Sequence, residues 1–257
     1  MATIYQGVEQ ITCANGSSQA DVYWWTMTNN DISLVSTVTS TTPKTARAVA
    51  DWSASTAVNG PFFPVTGINN SVNAFAINNS SWVIPGCTTN YGDQDNQSNP
   101  LDFLMDPVDK RSVTSLVFHG NGASFPLNTT DLYNNNITIN LSDVNWGLGG
   151  MDLELSRNEL DTDWATFSTK WKWGDNCMSI YNFPRTVIGY TGGGFSSTNY
   201  IIAACESCSI FDIRLFLKSK GCNYIGLYLD GAASTSAKNN STILIPSDRK
   251  IPVIISM

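Results

Sequence analysis

The chain has 257 residues, enough to bury a full hydrophobic core, and a net charge of −7 with only 14% charged side chains, against roughly 25% in ordinary soluble proteins. Asn, Thr, Ser and Gly fill the polar positions, and no Lys or Arg precedes Lys44, so there is no cationic N-terminal arm to neutralise phosphates. This argues against direct contact with nucleic acid, and apolar runs such as Ile201 to Cys205 and Ile225 to Leu229 are too short for a membrane span.

The opening Met1-Ala2-Thr3-Ile4-Tyr5-Gln6 has neither a charged n-region nor an apolar h-region, so no signal peptide is expected there. Trp24-Trp25 is an adjacent aromatic pair; on a strand one ring enters the core and the other reaches an interface or a sugar-stacking platform. Ile32 to Val38 reads as a strand. Thr42-Pro43 supplies a capping hydroxyl and a proline suited to the first helical position, and the Ala-rich run that follows predicts a helix over about 43–58, ending at Asn59-Gly60-Pro61.

The stretch 88–107 is polar and acidic with little periodicity, and predicts a long surface loop. Asp93 and Asp95 within it have the oxygen ligands of a calcium loop but lack the glycine and terminal Glu of an EF-hand, so a solvated loop is the plainer reading. Val113 to Phe118 reads as a strand ending at His119. This is the only histidine, and no Gly-x-Ser-x-Gly elbow accompanies it, so a serine triad has little to stand on. Ile137 to Ser142 alternates apolar and polar side chains, as a half-buried strand does.

Asp152 and Glu154 alternate with Met151, Leu153 and Leu155, which on a strand puts both carboxylates on one face. Paired acids of this kind serve some glycosidases, and a solvated strand face explains them equally well. Ser156 and Glu159 form a Ser-x-x-Glu capping box, and Leu160, Trp164, Phe167 and Trp171 repeat at helical spacing, so a second helix is expected over about 157–171. Glu159 joins the candidate acids, and Trp173, just beyond, joins the candidate sugar-stacking rings.

Strands are expected at Thr186 to Thr191, Tyr200 to Ala204, Thr242 to Ile245 and Val253 to Ser256, with a glycine-rich loop at Gly192 to Ser197. Cys205-Glu206-Ser207-Cys208 is a Cys-x-x-Cys with no second pair. Residues three apart on an extended strand face opposite ways, so Cys205 and Cys208 could share a metal or a disulfide only if a turn intervened. Phe211, Ile213, Leu215 and Leu217 alternate with polar residues, a break follows at Ser219-Lys220-Gly221, and Ile225, Leu227 and Leu229 resume the alternation. The expectation is a β-hairpin over Phe211 to Asp230.

These signals predict a single mainly β domain spanning 1–257, an antiparallel β-sandwich of jelly-roll type with two inserted helices. No phosphate-binding loop or dinucleotide fingerprint occurs, and no cofactor is expected. Low charge and long polar loops suit a structural component of a virus particle that associates with its own copies or with other subunits and meets a glycan receptor, located in the virion or otherwise outside the cell. The alternatives are a lectin-like carbohydrate-binding module and a glycoside hydrolase using Asp152, Glu154 or Glu159.

Overall fold

The computed structural model of the chain describes residues 4–14, 18–38, 46–61, 76–83, 114–119, 144–171, 182–192 and 199–257. Among them fourteen strands form two antiparallel sheets: β1 (Ile4–Thr12), β2 (Gln19–Thr28), β3 (Ser33–Ser36), β4 (Ala57–Asn59), β5 (Ala76–Asn78), β6 (Ser81–Trp82), β7 (Thr114–His119), β8 (Val144–Asp152), β9 (Phe183–Tyr190), β10 (Asn199–Cys208), β11 (Gly226–Tyr228), β12 (Ala237–Asn239), β13 (Thr242–Ile245) and β14 (Val253–Ser256). The larger sheet runs β1-β2-β10-β9-β11-β8-β5-β6, with β7 also paired to β8, and the smaller runs β13-β12-β4-β14-β3. The chain is thus mainly β and sandwich-like, and these orders, rather than a jelly-roll label, describe its connectivity.

The centre of the larger sheet is buried on both faces, which shapes its sequence. Along β10, Tyr200, Ile202 and Ala204 pack toward Val58, Val253 and Ile255 of the smaller sheet. The alternate residues Ile201, Ala203 and Cys205 pack against the two described helices, α1 (Trp164–Lys170) and α2 (Ile210–Ser219). A strand covered on both sides reads as a continuous apolar run rather than an alternation. Val49, Trp52, Ala57, Ile251 and Ile254 form a third cluster that includes the opposite face of the smaller sheet. Among the described residues no helix is long and apolar enough to cross a membrane.

Three sequence expectations are corrected. The hairpin over Phe211 to Asp230 is α2 followed by the short β11. Ser209 Oγ accepts from the Asp212 N–H at 3.1 Å and the Asp212 carboxylate accepts from the Ser209 N–H at 3.0 Å, a reciprocal cap. Ile210, Ile213 and Leu217 line its buried side, and Gly221 (φ +91°) ends it, with the Cys222 N–H reaching back to the Leu217 carbonyl at 3.1 Å. The alternation of Phe211, Ile213, Leu215 and Leu217 arose because α2 is apolar on more than one side.

In place of the helix over 43–58, the described part holds a single 3-10 turn at Val49–Asp51 and then β4, whose backbone pairs with both β12 and β14; residues 43–45 lie outside the described ones. Tertiary pairing overrides the helix propensity of the alanines. The helix over 157–171 divides into a 3-10 turn at Asn158–Asp161 and α1, whose N-cap is Asp163, accepting from the Thr166 N–H at 2.7 Å. Glu159 is diverted from the expected capping box by Arg157, which it meets at 2.7 Å. The loop at 88–107, Ile137 to Ser142 and most of Gly192 to Ser197 lie outside the described residues.

Candidate active site

Where β4, β9, β11 and β12 meet, polar side chains are buried at the seam of the two sheets. Asn59, at the end of β4, is fully buried. Its Oδ1 accepts from the Thr186 hydroxyl at 2.5 Å and the Ser236 N–H at 3.2 Å, while its Nδ2 donates to the Asp230 carbonyl at 2.6 Å. One amide therefore ties three segments far apart in sequence, and its bonds to Thr186 and Ser236 are buried. Gly60 follows because a Cβ there would lie 2.7 Å from the Val253 carbonyl oxygen.

The turn after β11, Asp230 to Ser236, is held from several sides. The Leu229 N–H donates to the Thr186 carbonyl at 2.9 Å, and Ala232 takes φ +51° so that a 3-10 turn forms over Ala232–Ser234. Beneath it, buried Arg185 donates to the Tyr228 hydroxyl at 2.8 Å and to the Cys208 carbonyl at 3.3 Å. The Tyr228 hydroxyl is pressed against Gly231, where a Cβ would come within 2.0 Å of it. From the other side the Ser247 hydroxyl donates to the Ala233 carbonyl at 2.6 Å and accepts from the Arg249 N–H at 3.0 Å.

Asp230 is the titratable group of this turn. Burial pushes its carboxyl up to about 6, partly offset by the Ser234 hydroxyl, the Arg249 charge and the Gly231 N–H, which donates to Oδ1 at 3.0 Å. A carboxyl with that value populates both protonation states near neutrality and can give or take a proton in turnover. Beside it the Thr235 hydroxyl is buried and lacks a partner among the described residues. A buried hydroxyl is rarely left so, and a ligand's polar group would satisfy it.

The sequence candidates lie elsewhere. Asp152 ends β8 and its carboxylate accepts from the Glu154 N–H at 2.8 Å. Glu154 sits in a left-handed turn (φ +50°), outside the strand, and pairs with Arg157 at 3.0 Å. Arg157 also holds exposed Glu159, whose carboxyl it keeps below the ordinary value. The three acids thus belong to a tied turn, and Asp152 and Glu154 do not share a strand face. The turn is anchored by fully buried Arg214, which donates to the carbonyls of Leu153, Glu154 and Arg157 at 2.8, 3.0 and 3.0 Å and pairs with Asp161.

Trp25 is fully buried between the sheets, and Trp24 packs on the other face, edge-on to Phe216 at 6.0 Å with Lys220 over its ring. Cys205 and Cys208 are buried free thiols of β10; a register shift between them brings the two within hydrogen-bonding reach despite their spacing. Burial, first, and the neighbouring Cys205 raise the Cys208 thiol well above its ordinary value, which keeps it protonated. Among the described residues no group of three or more His, Cys, Asp or Glu could hold a metal. Asp93, Asp95 and Trp173 lie outside the described residues, as does the side chain of His119.

Sequence reasoning passed over Asp230, taking it as the end of a hairpin, and Asn59, taking it as the end of a helix. The available signal was Asp230-Gly231 followed by Ala232-Ala233-Ser234-Thr235-Ser236, a run of residues too small to fill a core, directly after an apolar strand.

No protein-family model matches the chain, and no curated protein matches it in sequence. Its fold is similar to that of the zebrafish N-acetylglucosamine-1-phosphodiester α-N-acetylglucosaminidase catalytic domain, auto-inhibited by its pro-peptide, with TM-score 0.59, 11% identity and coverage of 99% of this chain and 82% of that one. It also resembles a hypothetical protein from Synechocystis (TM-score 0.50, 14% identity, 99% and 61% covered) and an exported protein from Burkholderia pseudomallei K96243 (TM-score 0.51, 10% identity, 95% and 75% covered). At these identities the likeness is one of fold.

Proposed function

We propose that this chain is a hydrolase of glycosidic bonds, including those in which the sugar is joined to a phosphodiester, with Asp230 as its proton-transferring carboxyl. The observation that carries the reading is Asp230 itself: a half-buried carboxyl raised to about 6, on a turn fixed by Asn59, Tyr228 and Ser247, beside the unpartnered hydroxyl of Thr235. The similarity in fold to a glycosidase catalytic domain over 99% of this chain supports it. Protonated Asp230 donates to the departing oxygen as the bond to the anomeric carbon breaks, and the ionised form then takes the proton of the attacking water. The Thr235 hydroxyl orients the sugar. The glycosidase alternative is thereby moved from Asp152, Glu154 and Glu159 to Asp230.

Release of 4-methylumbelliferone from α- and β-glycosides, and of free sugar from nucleotide sugars, tests the reading. Asp230→Asn is expected to lower turnover roughly 10²–10⁴-fold with the fold intact. Full activity in Asp230→Asn, or none on any of these substrates in the parent chain, would overturn it. Self-association as a particle component, which the low charge favours, predicts rings, trimers or shells in the same preparation. A monomer with Asp230-dependent turnover favours the hydrolase.

A further inference from the structure

The strands that carry Asn59 and Ser236 to the Asp230 turn also build a second site at their other end. Three residues back along β4 from Asn59, and three forward along β12 from Ser236, lie Thr56 and Asn239, about 10 Å away at ~3.3 Å per residue. With Tyr5, Trp25, Asp31, Asn240 and Met257 they line an open hollow of about 430 Å³, within the roughly 300–1,000 Å³ of small-molecule sites.

Its walls are fixed by bonds already made, which leaves specific groups unused. Asn239 Oδ1 accepts from the Trp25 indole at 3.3 Å and the Thr56 hydroxyl at 3.4 Å, so its Nδ2 is the group left over. Asp31 spends Oδ2 on the Thr28 N–H and hydroxyl, both at 2.8 Å, and Oδ1 has no hydrogen bond among the described residues. The Tyr5 hydroxyl and the Asn240 side chain have no hydrogen bond among the described residues. The Tyr5 ring, half-buried, is braced by Trp25 with centroids 5.3 Å apart.

We infer that this hollow binds a neutral saccharide, independently of the Asp230 centre. A braced aromatic face takes the C–H side of a sugar ring, and the amides, the phenol and the carboxylate oxygen are matched to its hydroxyls. Among the described residues Asp31 has the only charged side chain in the lining, so anions are repelled. A quaternary ammonium ion would gain the ring and the carboxylate but leave the amides and the phenol unanswered.

Calorimetric titration with the methyl α-glycosides of glucose, galactose, mannose and N-acetylglucosamine, and with tetramethylammonium, tests this on the parent chain and on Tyr5→Ala, Asn240→Gly and Asp230→Asn. Asn240→Gly keeps the left-handed backbone of that turn (φ +46°) and so preserves the fold even where Tyr5→Ala loosens Trp25. At least one glycoside is expected to bind the parent and Asp230→Asn alike, and about tenfold more weakly to Asn240→Gly and Tyr5→Ala. Binding that disappears in Asp230→Asn but survives in Asn240→Gly and Tyr5→Ala would place the sugar at the Asp230 centre and refute the second site. Preference for tetramethylammonium, or no glycoside binding, would refute it as well. Because binding is read without turnover, its failure is distinct from failure of the hydrolase reading.

Discussion

Replacing Asp230 by Asn should lower turnover and, above the pH at which the carboxyl would ionise, stabilise the fold. Each tenfold change in proton affinity is worth about 1.4 kcal/mol. Raising the carboxyl from 3.8 to about 6 therefore makes ionised Asp230 cost the folded chain about 3 kcal/mol, an upper figure since Asn forms different hydrogen bonds. The folded state holds the proton more tightly than the unfolded one. The stability associated with the protonated group is thus fully present below the unfolded value of 3.8 and is lost as pH rises through the folded value of about 6. Urea unfolding of the parent and Asp230→Asn should give nearly equal stabilities near pH 3.5, with the variant pulling ahead by up to about 3 kcal/mol by pH 7.5. A difference that does not change with pH would show that Asp230 ionises like an exposed carboxylate, and the acid-base role would fall with it.

Asn59→Ala leaves the Asp230 carbonyl, the Thr186 hydroxyl and the Ser236 N–H without their partner. At about 1–3 kcal/mol for each group left unsatisfied, the midpoint of urea unfolding should fall markedly. Gly231→Ala drives a methyl group against the Tyr228 hydroxyl; thermal unfolding should report a loss of about 1–3 kcal/mol, and the change should cost less in a Tyr228→Phe background, where the oxygen is gone although Arg185 has lost that acceptor. Arg214→Leu strips three carbonyls and Asp161 of a buried cation. A loss of about 3–5 kcal/mol is expected by urea unfolding, and an unchanged stability would show that the tied turn after β8 needs no anchor.

The division between what local sequence conveys and what packing decides is clearest in β10 and α2. Tyr200 to Ala204 is legible as a strand from its aromatic, β-branched and small apolar residues. So are β13 and β14, read at their observed bounds, because their signals are local. The residues of α2 also carried local signals, a Ser-x-x-Asp cap and a terminal Gly, but their apolar alternation was read first, and a short amphipathic run satisfies both periods until its neighbours are known. The Ala-rich segment before Asn59 became turn and strand only because β12 and β14 offered partners on both sides.

The candidate site was least legible of all. Asn59, Thr186 and the Asp230 to Ser236 turn are ordinary in sequence and lie tens of positions apart, and the proton affinity of Asp230 comes from burial that no single segment creates. By itself the sequence determined that the chain is mainly β, low in charge and without a nucleotide-binding loop, because propensity, composition and motif are properties of short stretches. The meeting of four strands at one half-buried carboxyl was decided by the tertiary structure, since desolvation and the hydrogen bonds of Asn59 exist only once the two sheets have closed on each other.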